Sequence, residues 1–319
     1  MIWPPVLILT AGLGTRLRPL TDVRAKAAVP VNGTPLACRV ARWLAGLGFT
    51  DQVFNLHHHP ATITAALGDG SPYGVRVRYS WENPVLGSAG GPRHALPLLT
   101  DAGNSRFLIV NGDTLSDVDL NALLERHDAS GAGVTMALIP NPAPDKYGGV
   151  VVDDNGFVAG FTRRGAVAQS YHFIGVQVSE ADVFATLPDG VPNDSVNALY
   201  PKLMRGNPRA VAAFVSGASF SDIGTPSDYL QTSLAFVQTE GDRLVSPTAT
   251  IATDAVIERS AVWDHVTVEP GARLTECVVA DGVRIGKAMA LTRCAIAPAG
   301  ARPPAAGERQ ESGLLIRPF

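Results

Sequence analysis

Up to about residue 240, short apolar runs alternate with apolar residues at helical spacing. The run PPVLIL (residues 4–9) is continuously apolar, as a strand covered on both faces should be. Leu36, Val40, Trp43, Leu44 and Leu47 then share one face of a helix. QVFNL follows, VRVRYS alternates like a half-buried strand, and RFLIVNGD and VTMALIP give two further apolar strands. GGVVVDDNGFVAGF predicts a hairpin turning at Asp154-Asn155-Gly156. TPSDYLQTSLAFV predicts a helix with Thr225 as N-cap, Pro226 at its first position and Asp228 completing a capping-box-like pair. Such alternation predicts an α/β fold with a mostly parallel sheet. Gly12 to Val31 is then a long loop at the carboxyl end of the first strand, where open α/β sheets place ligands.

After residue 240 the pattern changes. Ile251, Ile257 and Val262 are followed in register by Val268, Leu274 and Val279, then by Ile285, Leu291 and Ile296, a return every 17 residues. Ser260, Cys277 and Cys294 share one phase of this repeat, as small residues at a corner would. A three-sided parallel β-helix buries one residue per side per coil in this way. The boundary is predicted between Glu240 and Pro247, ARPPAAGERQESG reads as an irregular loop, and LLIRPF as a last strand.

Composition adds exclusions. The 319 residues are 46% hydrophobic and 17% charged, with net charge −3, which predicts a soluble two-domain protein with no general attraction to nucleic acid or membrane. Cys38, Cys277 and Cys294 are too few and too scattered for a disulfide framework or a structural zinc site. The opening residues carry no basic leader, and their apolar run is too short for a signal or a membrane span. A cytoplasmic location is the expectation.

The loop brings in chemistry. Arg16, Arg18, Arg24 and Lys26 fall within eleven residues of a glycine-rich segment, which suggests a polyphosphate ligand. GLGTRLRP is not the dinucleotide fingerprint, because Leu17 takes the third glycine position, and it lacks the Gly-Lys-Ser/Thr ending of a P-loop. Its glycines let backbone N–H groups approach a ligand. Arg16 offers a fork, and Lys26 a point charge, for phosphate oxygens.

Gly12-x-Gly14-Thr15-Arg16-x-Arg18-Pro19-x-Thr21, with Lys26 and Pro30-Val31, resembles the signature loop of the sugar-1-phosphate nucleotidyltransferases. The resemblance continues through LGSAGG (86–91), VNGD (110–113), KYGGVVVDDNG and FSDIGTPSDYL. It implies a Rossmann-like nucleotidyltransferase domain over residues 1–240 and, as in the mannose-1-phosphate guanylyltransferase branch, a short left-handed parallel β-helix over 245–319. It also implies joining of a nucleoside triphosphate to a sugar 1-phosphate with release of pyrophosphate. The nucleophile is then an anionic phosphate oxygen that needs no general base. The obstacle is repulsion between polyanions, which cations must offset while holding them in line.

On this resemblance Arg16, Lys26 and Asp113 are the catalytic candidates. Asp113 and Asp222, each at a strand end, are expected to hold Mg²⁺, which bridges phosphate oxygens and keeps several waters. Asp117 reads as a loop residue. Ala11, Gly12, Gly14, Thr15, Glu82, Gly87 and Ser88 are the nucleoside-binding candidates. Glu82 is expected at the base, where a carboxylate could accept from guanine's N1–H and N2–H₂ together, which tilts the reading toward GTP.

Tyr147 and Gly148 match the sugar-contacting Tyr-Gly, and Arg164 keeps the positive charge expected beside the sugar phosphate. Departures follow: Arg163 replaces a glutamate, Phe173 stands where many members have asparagine, and Ala25 and Ala27 replace prolines around Lys26. Arg163 either favours an acidic or lactyl-bearing sugar or points into solvent. His57, His58 and His59 are expected in a strand-end loop near the acceptor pocket and not on a metal, since consecutive strand residues face opposite ways. The expected partners are an NTP, with GTP favoured, and a sugar 1-phosphate such as mannose 1-phosphate, with a homo-oligomer built through the tail. A uridylyltransferase acting on N-acetylmuramate 1-phosphate, or a non-catalytic nucleotide-sugar-binding regulatory subunit, are the alternatives.

Overall fold

A computed structural model describes residues 3–166, 169–300 and 302–319, which group into two compact units. The first contains residues 3–12, 40–58 and most of 67–221. Its nine-stranded sheet has Val6–Leu9 at the centre, pairing parallel with Asp51–Leu56 on one side and Arg106–Asn111 on the other. Arg76–Trp81 extends the parallel part, but the expected alternation breaks along it: Val77 and Ser80, on opposite faces, are its buried residues and Trp81 is exposed. Beyond Arg106–Asn111 the sheet becomes mixed, because Tyr171–Glu180 runs antiparallel both to that strand and to Val134–Pro140. The predicted hairpin forms from Gly149–Val152 and Val158–Thr162. Its turn is held by Asp153, whose Oδ1 accepts from the N–H groups of Asn155 and Phe157 at 3.0 and 2.8 Å.

The apolar run at the amino end is buried because it is central: Val6, Leu7 and Ile8 are fully enclosed. Leu7, Val53, Phe107, Ile109, Met136 and Leu138 share one core cluster with helix residues Ala89, Ala95 and Leu99. In the helix Leu36–Gly46, Leu36, Val40 and Leu44 are buried as expected. Leu47 is not: it lies past the helix end and is 38% exposed.

The second unit contains residues 13–39, 59–66 and 222–319, apart from Ala301, which lies outside the described residues. Its helix Pro226–Glu240 begins as predicted: Thr225 Oγ1 accepts from the Asp228 N–H at 3.2 Å and donates to the Asp228 carboxylate at 2.9 Å. The tail is a parallel β-helix with three faces. Thr250–Ile251, Thr267–Val268 and Arg284–Ile285 stack on one face. Val256–Glu258, Arg273–Thr275 and Ala290–Thr292 form the second. Ala261–Val262, Val278–Val279 and Cys294–Pro298 form the third. Val262, Val268, Leu274, Val279, Ile285, Leu291 and Ile296 meet in one interior cluster, with Ile251 and Ile257 packed at its open end.

The small residues do sit at one corner. Ser260 Oγ accepts from the Cys277 N–H at 2.9 Å, one 17-residue coil away. The residues before them, Arg259, Glu276 and Arg293, all turn through positive φ of 47 to 52°. Burial pushes the Cys277 thiol up to about 11, so it acts as packing and not as a nucleophile. The segment expected to be an irregular loop contains one more strand, Arg309–Glu311, antiparallel to the last strand, Leu314–Pro318. All three of its residues are exposed, so no apolar alternation marked it in advance.

Candidate active site

The glycine-rich loop is a folded object. Residues 13–31 form three short 3₁₀ turns, Thr15–Leu17, Leu20–Asp22 and Lys26–Ala28, with Leu17, Leu20, Ala25, Ala27 and Ala28 buried beneath them. Gly14 has a left-handed φ of +60°, and a Cβ there would lie 2.8 Å from Thr21 Cγ2 and 3.2 Å from Lys26 Cβ. Only glycine lets Thr21 and Lys26 close over it. Thr21 Oγ1 then donates to the Gly14 carbonyl at 2.9 Å.

This folding brings two of the expected cations to one carboxylate. Asp222, at the end of the strand Phe220–Asp222, has Oδ1 4.0 Å from Lys26 Nζ and Oδ2 3.9 Å from an Arg16 terminal nitrogen. Both are loose contacts, and the Arg16 side chain is 62% exposed while that of Asp222 is 11% exposed. An exposed positive fork therefore stands beside a mostly enclosed carboxylate. The other arginines are used differently. Arg24 donates to Asp281 at 2.5 and 2.7 Å and to Asp264 at 2.5 Å. Burial works against its charge, but its hydrogen bonds to Asp281 and Asp264 outweigh this and its pKa is raised.

In the first unit the strand ends carry a buried polar network. Asn55 Oδ1 accepts from the Thr10 and Ala11 N–H groups at 2.5 and 3.2 Å. Its Nδ2 donates to Glu82 Oε1 at 2.7 Å, and Glu82 Oε2 accepts from the Leu86 N–H at 2.7 Å. The network ties Ala11, where the signature loop starts, to Leu86, where the segment before helix Gly87–Leu99 ends. Glu82 is 4% exposed and each of its oxygens accepts one hydrogen bond from protein, so it ties these strand ends together.

Sequence reasoning missed Asn55; the only signal was one amide in the otherwise apolar end of QVFNL. Gly91 permits the arrangement, since a Cβ there would lie 2.6 Å from Glu82 Oε1.

Gly87 has φ +76°, and a Cβ would meet the Asn193 carbonyl at 2.8 Å. Ser88 Oγ accepts from the Ser195 N–H and hydroxyl at 2.9 and 3.0 Å, so this hydroxyl secures residues 193–195 against the helix. At Gly12 nothing lies within 4 Å of where a Cβ would be, leaving open space beside the backbone. Asp113 follows Gly112, whose N–H donates to the Leu9 carbonyl at 3.0 Å. Asp113 is thereby fixed, half-buried, beside the end of the central strand. Asp117 accepts from the Ser219 N–H at 2.7 Å, a loop role as expected.

The same unit holds a cavity of about 1120 Å³. Gly148, Arg163, Arg164, Phe173, His172 and Arg205 are among its lining residues, and none of the described lining residues is a carboxylate. Tyr147 is not in the lining; its ring packs 4.3 Å from that of His172, with Phe220 closing the cluster. Burial pushes His172 down to about 4, so the ring is neutral near pH 7. His172 and Arg205 were not anticipated from sequence. His57, expected near an acceptor pocket, is not in this lining; its Nδ1 lies 3.0 Å from the Glu82 carbonyl.

Residues 5–239 match the nucleotidyl transferase family, and residues 230–302 match the GlmU-like C-terminal hexapeptide family. The chain belongs to the sugar-1-phosphate nucleotidyltransferases. It is 29% identical over 291 residues to the mannose-1-phosphate guanylyltransferase of Mycobacterium tuberculosis, covering 88% of this chain and 80% of the relative. It is 36% identical over 211 residues to the N-acetylmuramate alpha-1-phosphate uridylyltransferase of Neisseria meningitidis, covering 64% of this chain and 84% of the relative. The crystal structure of HddC from Yersinia pseudotuberculosis shares the fold, with TM-score 0.64 at 24% identity over 73% of this chain and 99% of HddC. Among the described residues no helix is long and apolar enough to cross a membrane.

Proposed function

We propose that the chain transfers a guanylyl group from GTP to a mannose-1-phosphate-like acceptor, with the chemistry in residues 1–240 and the tail, 245–319, as its support. The observation that carries the mechanism is the approach of Arg16 and Lys26 to Asp222 on a folded loop. An anionic acceptor phosphate attacks the α-phosphorus of the nucleotide, and pyrophosphate leaves with the bond pair. Arg16 and Lys26 damp the charge of the triphosphate and of the departing pyrophosphate. The backbone at Ala11, Gly12, Gly14 and Thr15, with the segment at Gly87 and Ser88, receives the nucleoside.

The family generally uses divalent metal ions. No group of three or more His, Cys, Asp or Glu side chains suited to a metal occurs among the described residues. Mg²⁺ takes one or two carboxylates and completes its octahedron with water and phosphate oxygens, and carboxylates are the donors that the family resemblance assigns to it here. Asp113 and Asp222 would hold it, and the ion would supply charge neutralisation between the phosphates.

The acceptor is assigned to the cavity, with Arg164 on its phosphate and Gly148 and Phe173 on the sugar. Guanine is supported by the guanylyltransferase relative, whose match spans 88% of this chain. A second reading has its own support. Arg163, Arg164 and Arg205 line a cavity with no carboxylate among its described lining residues, which suits an acceptor with an anionic substituent, and a uridylyltransferase of N-acetylmuramate 1-phosphate is a 36% identical relative. Pyrophosphate release measured for four NTPs against mannose, glucose and N-acetylmuramate 1-phosphates separates the two. Turnover confined to GTP with mannose 1-phosphate supports the first reading, and turnover confined to UTP with the acidic sugar overturns it. Tight nucleotide-sugar binding with no turnover in any pairing would instead mark a regulatory subunit.

A further inference from the structure

The loop that carries Arg16 is held by the far end of the chain. Arg317, on the last strand Leu314–Pro318, donates through Nη1 to the carbonyl of Arg18 at 2.8 Å and to that of Arg16 at 3.2 Å. The need for such a donor is written into the loop. Arg16 lies in a 3₁₀ turn, where a carbonyl is ordinarily met by the N–H three residues on. Here that residue is Pro19, which has no N–H. Arg317 supplies a donor from the tail.

The strand has little freedom to slide. Ile316 is fully buried and pairs with Ile296 in the β-helix interior, so a shift of one residue would take it out of that cluster. The rest of the loop is anchored to the same tail. Arg302 Nε donates to Asp22 at 2.8 Å and the same guanidinium pairs with Glu308. Arg24 bridges Asp264 and Asp281. Trp263 Nε1 donates to the Tyr229 hydroxyl at 2.8 Å, and that hydroxyl donates to the Pro30 carbonyl. Among the described side chains of this frame, Arg317 is the one that reaches the backbone of Arg16.

We propose that Arg317 is a positioning residue for nucleotidyl transfer, acting through the backbone of Arg16 so that the β-helix sets the aim of the loop's exposed guanidinium. The inference rests on the assignment of Arg16 to the triphosphate. The part of Arg317 that reaches the loop is Nη1, and it meets two backbone carbonyls there. A small displacement of a group that must meet a developing charge is enough to lower turnover by an order of magnitude or more, on the order of 10²-fold per ångström.

The test is a double-mutant cycle on the full chain, read as pyrophosphate release, with Arg317→Met chosen to keep the aliphatic stem and remove the donors. The single variant is expected to lose about tenfold in kcat, with KM for the sugar phosphate unchanged. Arg317→Lys, which can still donate to both carbonyls, is expected to recover most of that loss. In an Arg16→Ala background the Arg317→Met change is expected to cost nothing further. Wild-type kcat in Arg317→Met, or the same tenfold loss with Arg16 already removed, overturns the proposal. Should Arg317→Met not unfold cooperatively, Arg317→Lys takes its place in the cycle, with a smaller loss that must again vanish in the Arg16→Ala background. If Arg16→Ala itself turns over like the wild type, it is the loop's role in catalysis that fails, which separates that reading from this one.

Discussion

The segment 13–31 uses the same kind of side chain in two opposite ways. On the side of the β-helix, Arg24 meets Asp281 and Asp264 at 2.5 Å with its side chain 17% exposed. On the side of Asp222, Arg16 keeps a distance of 3.9 Å with 62% of its side chain exposed. Eight residues separate the two in sequence. A guanidinium saturated by carboxylates is part of the scaffold and has few donors left for a ligand. One that stands near a single carboxylate keeps most of its donors for phosphate oxygens. Tight pairing thus marks the arginine that builds the loop, and loose pairing the one that works from it.

The comparison can be broken in several places. The largest effect is expected at Asp113. Asp113→Asn should lower kcat about 10²-fold or more by removing a charge from the metal's donor set, and pyrophosphate release within twofold of wild type would detach this carboxylate from the mechanism. Next is the scaffold side. Arg24→Met leaves Asp264 and Asp281 facing each other without their shared cation, and should lower stability by about 2 kcal/mol, a partly buried pair costing less than the 3–5 of a fully buried one. Urea unfolding checks this, and an unchanged midpoint would show that the clamp contributes nothing.

A smaller effect is expected in the cavity. Arg205→Ala should raise KM for the sugar phosphate about tenfold, the worth of a partly screened charge-assisted hydrogen bond, with KM for the nucleotide unmoved. A change in the nucleotide KM instead would take Arg205 away from the acceptor.

The smallest effect is in pH dependence. Burial holds His172 at about 4 in the folded protein against an ordinary value of 6.5. The unfolded chain therefore binds more protons between these values, and stability should rise with pH from about 4 to 6.5 and level off above. His127, lowered first by burial although Glu180 opposes it, adds the same sign. His172→Phe should flatten part of this slope in urea titrations at pH 4.5 and 7, and an unaltered slope would show that the buried ring does not titrate in this window.

Much of this was legible in the sequence where the signal is local or periodic. Gly14, Arg16 and Lys26 lie within one short stretch, and the loop's folding depends on contacts among Gly14, Thr21 and Lys26. The β-helix was legible because each coil stacks on the last, so Val268, Leu274 and Val279 had to recur as Ile285, Leu291 and Ile296. What stayed hidden depends on partners far along the chain. Arg24 and Asp264 are 240 residues apart, and Arg317 and Arg16 are 301 apart. No spacing rule distinguishes Arg24 from Arg16. The hydrogen bond between Asn55 and Glu82 was hidden for the same reason, since the two lie 27 residues apart.

The central claim is that Arg16, with Lys26, meets the triphosphate while the loop's scaffold contacts aim them. The most direct measurement is pyrophosphate release by Arg16→Ala at saturating nucleotide, metal and sugar phosphate, alongside its urea unfolding midpoint. A rate at or below about 1% of wild type with an unchanged midpoint is the predicted result. A rate within twofold of wild type would contradict it.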